Sequence, residues 1–299
     1  MKISKLASGL ALLAISGAAF AAGTGIASTK HNLGAGASAL GNKANNTDGT
    51  TEICVFCHTP HGGNQAAAAP LWNRKFSTAG YVRYSTLGTS TFDAAEAPVG
   101  SVSVACLSCH DGTQAMDAMI NSPGSNSPGI ARGSSTGDNG WTETNVMSNL
   151  AASDNGNSGD MIYLGTDLRN DHPVSMQYGG GGFSSTNVNG PSIDPAYAVA
   201  GATGTVGNNS SLGGTGRVAN RTLGNGLLVW YVDTNGTAGQ QKDDFTLFSR
   251  TDGPGANSGL NQPYVECATC HDPHSTNPTF LRLSGGNTGS QVCLTCHTK

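Results

Sequence analysis

Along most of the chain, apolar and polar positions follow neither a helical nor a strand period. Short apolar patches are set in long Gly, Ser, Thr and Asn tracts. This pattern predicts mostly irregular backbone with short helices and a few short strands. The exceptions are local. Leu10 to Phe20 is a short apolar run behind Lys2 and Lys5. Leu227 to Val232 and Phe245 to Phe248 read as the two strands of a hairpin, and Thr113 to Ile120 as a short helix. The stretch from about residue 120 to 262 is rich in Gly, Ser and Asn and reads mostly as loop.

The first apolar run has the form of an export leader. A positive segment precedes it, and Ala19-Phe20-Ala21 matches the A-x-A cleavage pattern, so residues 1–21 read as a signal peptide. The run is too short to span a bilayer comfortably, and no other stretch is long or apolar enough. The expected mature protein, from Ala22 onward, is exported. The formal charge of −4 becomes −6 once Lys2 and Lys5 leave with the leader. No basic patch of the kind that nucleic acid requires is present.

Chemistry enters through the cysteines. All eight fall in four CxxCH motifs: Cys54, Cys57 and His58; Cys106, Cys109 and His110; Cys267, Cys270 and His271; Cys293, Cys296 and His297. CxxCH is the attachment sequence of c-type haem. The two thiols add across the porphyrin vinyl groups and the histidine becomes the proximal iron ligand. Zinc uses Cys-x-x-Cys pairs as well, but gives no reason for a histidine after every second cysteine. A disulfide across Cys-x-x-Cys closes a very short loop and stabilises little. The expected cofactor complement is therefore four covalently attached haems.

Composition agrees with that reading. With 43 glycines, 11% charged and 6% aromatic residues, the apolar side chains are sparse for an ordinary core of this length. Four flat apolar porphyrins would supply the missing core. The expected fold is polypeptide wrapped around a stack of four haems, and a chain that does not fold without them.

An internal repeat organises the motifs. CVFCHTPH at 54–61 and CATCHDPH at 267–274 correspond, and each is followed by a CLxCH motif, at 106–110 and 293–297. Two doubled-motif halves thus flank the insert at about 120–262. Since the halves share one haem array, residues 22–299 read as a single domain. Sequons beginning at Asn45, Asn208, Asn209, Asn220 and Asn235 read as polar surface loops.

Four histidines lie outside the motifs: His31, His61, His172 and His274. Four haems with histidine on both faces need that number. His61 and His274 each follow a proximal histidine by three residues, as His-x-Pro-His. Two imidazoles on opposite faces of one porphyrin put their Cα atoms roughly 12 Å apart, whereas three residues span at most about 10–11 Å. Neither can therefore serve the haem of its own motif, and each would tie two porphyrins together. Pro60 and Pro273 restrict the backbone just before them. His172 follows Asp171, and that carboxylate or a nearby carbonyl is expected to orient its ring. Met176, Trp72, Trp141 and Trp230 are expected to pack rather than ligate. With every iron six-coordinate there is no position for a substrate, so the site logic is electron transfer and not enzymatic catalysis.

Several segments resemble one group of proteins. Lys30-His31-Asn32-Leu33, Glu52-Ile53 with CVFCHTPHGG, Ala69-Pro70-Leu71-Trp72-Asn73-Arg74, CLSCHDGT at 106–113, DLRNDHPVSM at 167–176, VECATCHDPH at 265–274 and QVCLTCHTK at 291–299 resemble the extracellular multihaem c-type cytochromes of metal-reducing bacteria, in particular their tetrahaem, filament-forming members. The resemblance implies a largely coil fold and a continuous stack of bis-histidine haems in parallel and T-shaped pairs. It also implies head-to-tail polymerisation, with one axial histidine donated across the subunit boundary. His31, on a flexible N-terminal segment, is the candidate for that donation. Implied partners are identical subunits, upstream outer-membrane or periplasmic cytochromes, and extracellular acceptors such as metal oxides. The expected location is the cell surface or beyond, with a monomeric periplasmic shuttle and a multihaem reductase as competing readings.

Overall fold

The computed structural model describes residues 24–34, 51–90, 92, 94–114, 119–121, 163–183, 217–222, 228–235 and 239–297. Regular structure in these residues is sparse and local. The helices are α1 (Thr24–Ala27), α2 (Ser103–His110), α3 (Cys267–Cys270) and α4 (Gln291–Cys296). The strands are β1 (Met176–Gln177), β2 (Arg217–Thr222), β3 (Leu228–Asp233), β4 (Phe245–Arg250) and β5 (Gln262–Val265). Isolated 3-10 turns and loops make up the remainder.

The strands form one antiparallel sheet in the order β1-β5-β4-β3-β2. Its centre follows from residue type: aromatic and β-branched side chains suit a pleated, half-buried surface. Trp230 faces Leu247 and Val232 faces Phe245 across the β3–β4 pair, and all four are fully buried. Such directly opposed pairs stabilise a sheet. The expected hairpin is present, as Leu228–Asp233 against Phe245–Arg250. The surrounding insert is less loop-like than its composition suggested, since β1 to β4 all come from it. The sequon at Asn220 accordingly falls within β2, whereas that at Asn235 sits on the exposed turn after β3.

The apolar core covers this sheet and extends to the last two motifs. Met176, Tyr178, Phe183, Trp230, Val232, Phe245, Leu247, Val265 and Cys296 form one buried cluster, with Cys270, Phe92, Leu283 and Val292 packed against it. Met176 is thus a packing residue, as expected of it. The helix expected at Thr113 to Ile120 lies partly outside the described residues. The helix that is described comes earlier and carries the second motif itself. The leader 1–21 and Trp141 also lie outside them. Among the described residues no helix is long and apolar enough to cross a membrane.

Candidate haem sites

Each CxxCH motif sits on a helical turn: the 3-10 turn Cys54–Phe56, then α2, α3 and α4. A spacing of three places both thiols on one face of the turn. The histidine then closes it. His58, His271 and His297 donate their backbone N–H to the carbonyl of the first cysteine of their motif, at 2.8, 3.2 and 2.9 Å. His271 and His297 leave the helix with extended backbone.

The motifs are neighbours in space. The Cys57 thiol lies in the field of Cys109, and burial pushes it up to about 12. Cys106 and Cys267 hydrogen-bond each other; that contact raises the Cys106 thiol and lowers Cys267. Burial likewise raises Cys270, to about 12, with Cys267 and Cys293 nearby, and raises Cys296, which lies beside Cys270. The attachment points therefore follow one another in chain order, first to second, second to third, third to fourth. All eight cysteines are free thiols.

Two proximal histidines each face a distal one. His58 and His274 have ring centroids 6.2 Å apart and planes 16° apart. His31 and His110 have centroids 6.4 Å apart and planes 69° apart. Two imidazoles bonded at about 2 Å to opposite sides of one metal have centroids roughly 6 Å apart, so both gaps have the width of a bis-imidazole iron. His274 comes from the third motif's His-x-Pro-His and lies beside the proximal-position histidine of the first motif. Among the described residues no three His, Cys, Asp or Glu side chains converge on a metal.

Backbone carbonyls set the tautomers. His31 Nδ1–H donates to Pro273 O at 3.1 Å and His58 Nδ1–H to Pro70 O at 2.7 Å. His271 Nδ1–H donates to Thr279 O at 2.9 Å and His172 Nδ1–H to Pro173 O at 2.9 Å. A carbonyl can only accept, so Nδ1 carries the proton and Nε2 keeps its lone pair for iron. For His172 the orienting group is thus a carbonyl and not Asp171, whose Oδ2 is buried without a protein partner. Burial lowers His31 to about 4 and also lowers His172 and His271, which keeps them neutral, the ligating form. His61, His172 and His271 are exposed as whole residues, so the packing that desolvates the His172 and His271 imidazoles still leaves part of each residue open to solvent. His61 is tethered through its carbonyl, which accepts from Thr59 Oγ1 at 3.0 Å and Asn121 Nδ2 at 3.2 Å.

Trp72 stands edge-on to His58 at 5.8 Å, and its buried indole N–H lacks a protein acceptor. A haem propionate is an acceptor of the missing kind. Behind the motifs lies a buried polar clamp that the sequence did not disclose. Glu266 caps α3 through a reciprocal pair of hydrogen bonds with Thr269. Its carboxylate accepts from Arg250 Nη1 at 2.8 Å, Ser103 Oγ at 2.5 Å and Ser175 Oγ at 3.3 Å. Ser103 Oγ in turn accepts from Cys267 N at 3.0 Å. This joins the start of α2 to the start of α3, and hence the second attachment site to the third. On the other side of α2, the buried Arg74 donates to Ser108 O at 3.2 Å.

Comparison with known families agrees with this geometry. Residues 262–299 match the doubled CXXCH motif family. No curated protein matches the chain. The match covers the third and fourth motifs; the first two repeat the arrangement in their own residues. CXXCH motifs indicate covalent haem c, and the doubled form is one that multihaem c-type cytochromes carry.

Proposed function

We propose that the chain is an exported tetrahaem c-type cytochrome that conducts electrons and assembles head to tail into a filament outside the cell. The observation that supports conduction is the proximity of the attachment sites: Cys106 hydrogen-bonds Cys267, Cys57 lies within the electrostatic reach of Cys109, and Cys270 within that of Cys293 and Cys296. Haem held there supplies a one-electron iron couple. The polypeptide keeps the attachment points adjacent, which matters because tunnelling falls off exponentially with edge separation. It also offers neutral imidazoles for both faces of the iron. Filling both faces leaves no position for a substrate, which argues against a reductase.

Polymerisation needs an exposed ligand that can reach a neighbour. His31 was the candidate on sequence grounds, but its 6.4 Å approach to His110 favours ligation within its own chain. The role passes to His61 or His172, exposed residues outside the motifs that face no other histidine among the described residues. A head-to-tail interface that does not close gives an open filament. Residues 22–299 act as one unit in this reading, and its partners are upstream cytochromes and extracellular acceptors such as metal oxides.

Electron microscopy of the haem-loaded protein released from the cell exterior tests the assembly. Thin ordered filaments are expected, lost in His61→Ala or His172→Ala. Discrete particles would leave a monomeric periplasmic shuttle. A haem content below four per chain, or high-spin ferric iron, would overturn the bis-histidine tetrahaem itself.

A further inference from the structure

Phe280 lies face to face with His31, with ring centroids 4.0 Å apart and planes 17° apart. His31 in turn stands at 69° to His110 across the 6.4 Å gap. The plane of the phenyl ring therefore governs the plane of the imidazole, since His31 cannot swing about its iron-directed axis without driving its face into Phe280. Pro273 O tethers one ring atom at 3.1 Å; Phe280 blocks the whole face.

The backbone that presents this ring is unusual. Thr279 and Phe280 both have left-handed conformation, with φ of 52° and 58°. Bulky residues rarely adopt it, and such strain persists where the surroundings over-determine the segment. Here Phe280 N donates to Asn277 O at 3.0 Å and Asp272 N to Phe280 O at 2.8 Å. Asn277 Nδ2 donates to Leu281 O at 2.8 Å and Arg282 O at 3.1 Å. The same turn supplies Thr279 O to His271 Nδ1. One strained turn thus orients the distal ligand facing His110 and the proximal ligand of the third motif.

We propose that Phe280 is a positioning residue that holds His31 nearly perpendicular to His110 and so gives that haem a different electronic state from the haem of His58 and His274. The proposal rests on reading each facing pair as the two ligands of one iron. Parallel imidazoles donate into the same iron d orbital and separate it from its partner. Perpendicular imidazoles donate into one orbital each and leave the two nearly equal in energy. Nearly equal orbitals give a ferric resonance at unusually large g, whereas split ones give an ordinary rhombic spectrum.

The test is electron paramagnetic resonance of the ferric holoprotein, with haem content measured alongside, for the wild type, F280G and F280Y. Glycine accepts positive φ freely, so F280G removes the ring without straining the turn. A large-g component is expected in the wild type and in F280Y, and is lost in F280G at unchanged haem content. Survival of that component in F280G overturns the proposal. So does a wild type that is wholly low-spin but lacks it. High-spin iron in the wild type would instead refute the bis-imidazole reading beneath the proposal, a distinguishable result that removes both. If F280G does not accumulate with full haem content, F280L, which keeps apolar volume without a flat face, is judged by the same criterion.

Discussion

His58 and His274 face each other across 6.2 Å with their rings nearly parallel, although they belong to opposite halves of the internal repeat. A bis-imidazole iron fits that gap. The chain-reach argument bars His274 from the haem of His271, and the structure sets its ring against His58 instead.

Removing one member of a facing pair should open one iron. His274→Ala and His31→Ala are each expected to create one haem per chain that binds carbon monoxide on reduction, where the wild type has none at those sites. His61→Ala should leave the haem of His58 six-coordinate. Carbon monoxide difference spectra check all three. Carbon monoxide binding at the His58 haem in His61→Ala would contradict the reach argument.

The Glu266 clamp should matter for stability. The Arg250 and Glu266 side chains are 5% and 0% exposed; removing Glu266 leaves Arg250 paired with Asp252 at 2.7 Å but strips the buried Ser103 and Ser175 hydroxyls of their acceptor, at about 1–3 kcal/mol. Glu266→Ala should therefore lower unfolding stability by roughly that amount. The double variant Glu266→Ala/Arg250→Met should lose less than the sum of the two single changes. Denaturant unfolding of the four proteins gives the coupling.

Trp230 is the largest side chain of the sheet core and is fully buried. Trp230→Ala is expected to cost about 3–5 kcal/mol through lost burial and the cavity left behind. The haem of the first motif, none of whose residues belongs to this cluster, should keep its spectrum. Thermal unfolding read separately by far-ultraviolet and Soret circular dichroism distinguishes the two regions.

The haem-free chain should keep, at most, the sheet. The continuous apolar cluster belongs to β1, β3, β4, β5 and their neighbours, whereas residues 51–74 are held largely by hydrogen bonds such as Asn73 Nδ2–H to Val55 O at 2.7 Å. Hydrogen exchange of protein made without haem attachment should show protection confined to β3, β4 and β5. Full protection around Cys54 to His61 would mean that haem is not what orders that segment. Composition suggested a chain that does not fold without haem, and this measurement decides how far the small sheet departs from that expectation.

The attachment chemistry was fully legible along the chain, because CxxCH is a covalent signature confined to five consecutive residues. The β3–β4 hairpin was legible for a related reason, its two apolar runs being local patterns; the helical turns that carry the motifs were not read from the sequence and emerge only in the structure. What only the tertiary structure decided is which groups meet across long separations. Ser103 and Glu266 are 163 residues apart in sequence, and His31 and Pro273 are 242 apart. Pairing of His31 with His110, its stacking on Phe280 and the burial of Glu266 against Arg250 arise from packing in three dimensions. No local period or spacing encodes such contacts, so the candidate haem-binding residues could be named from sequence, and the groups they meet could not.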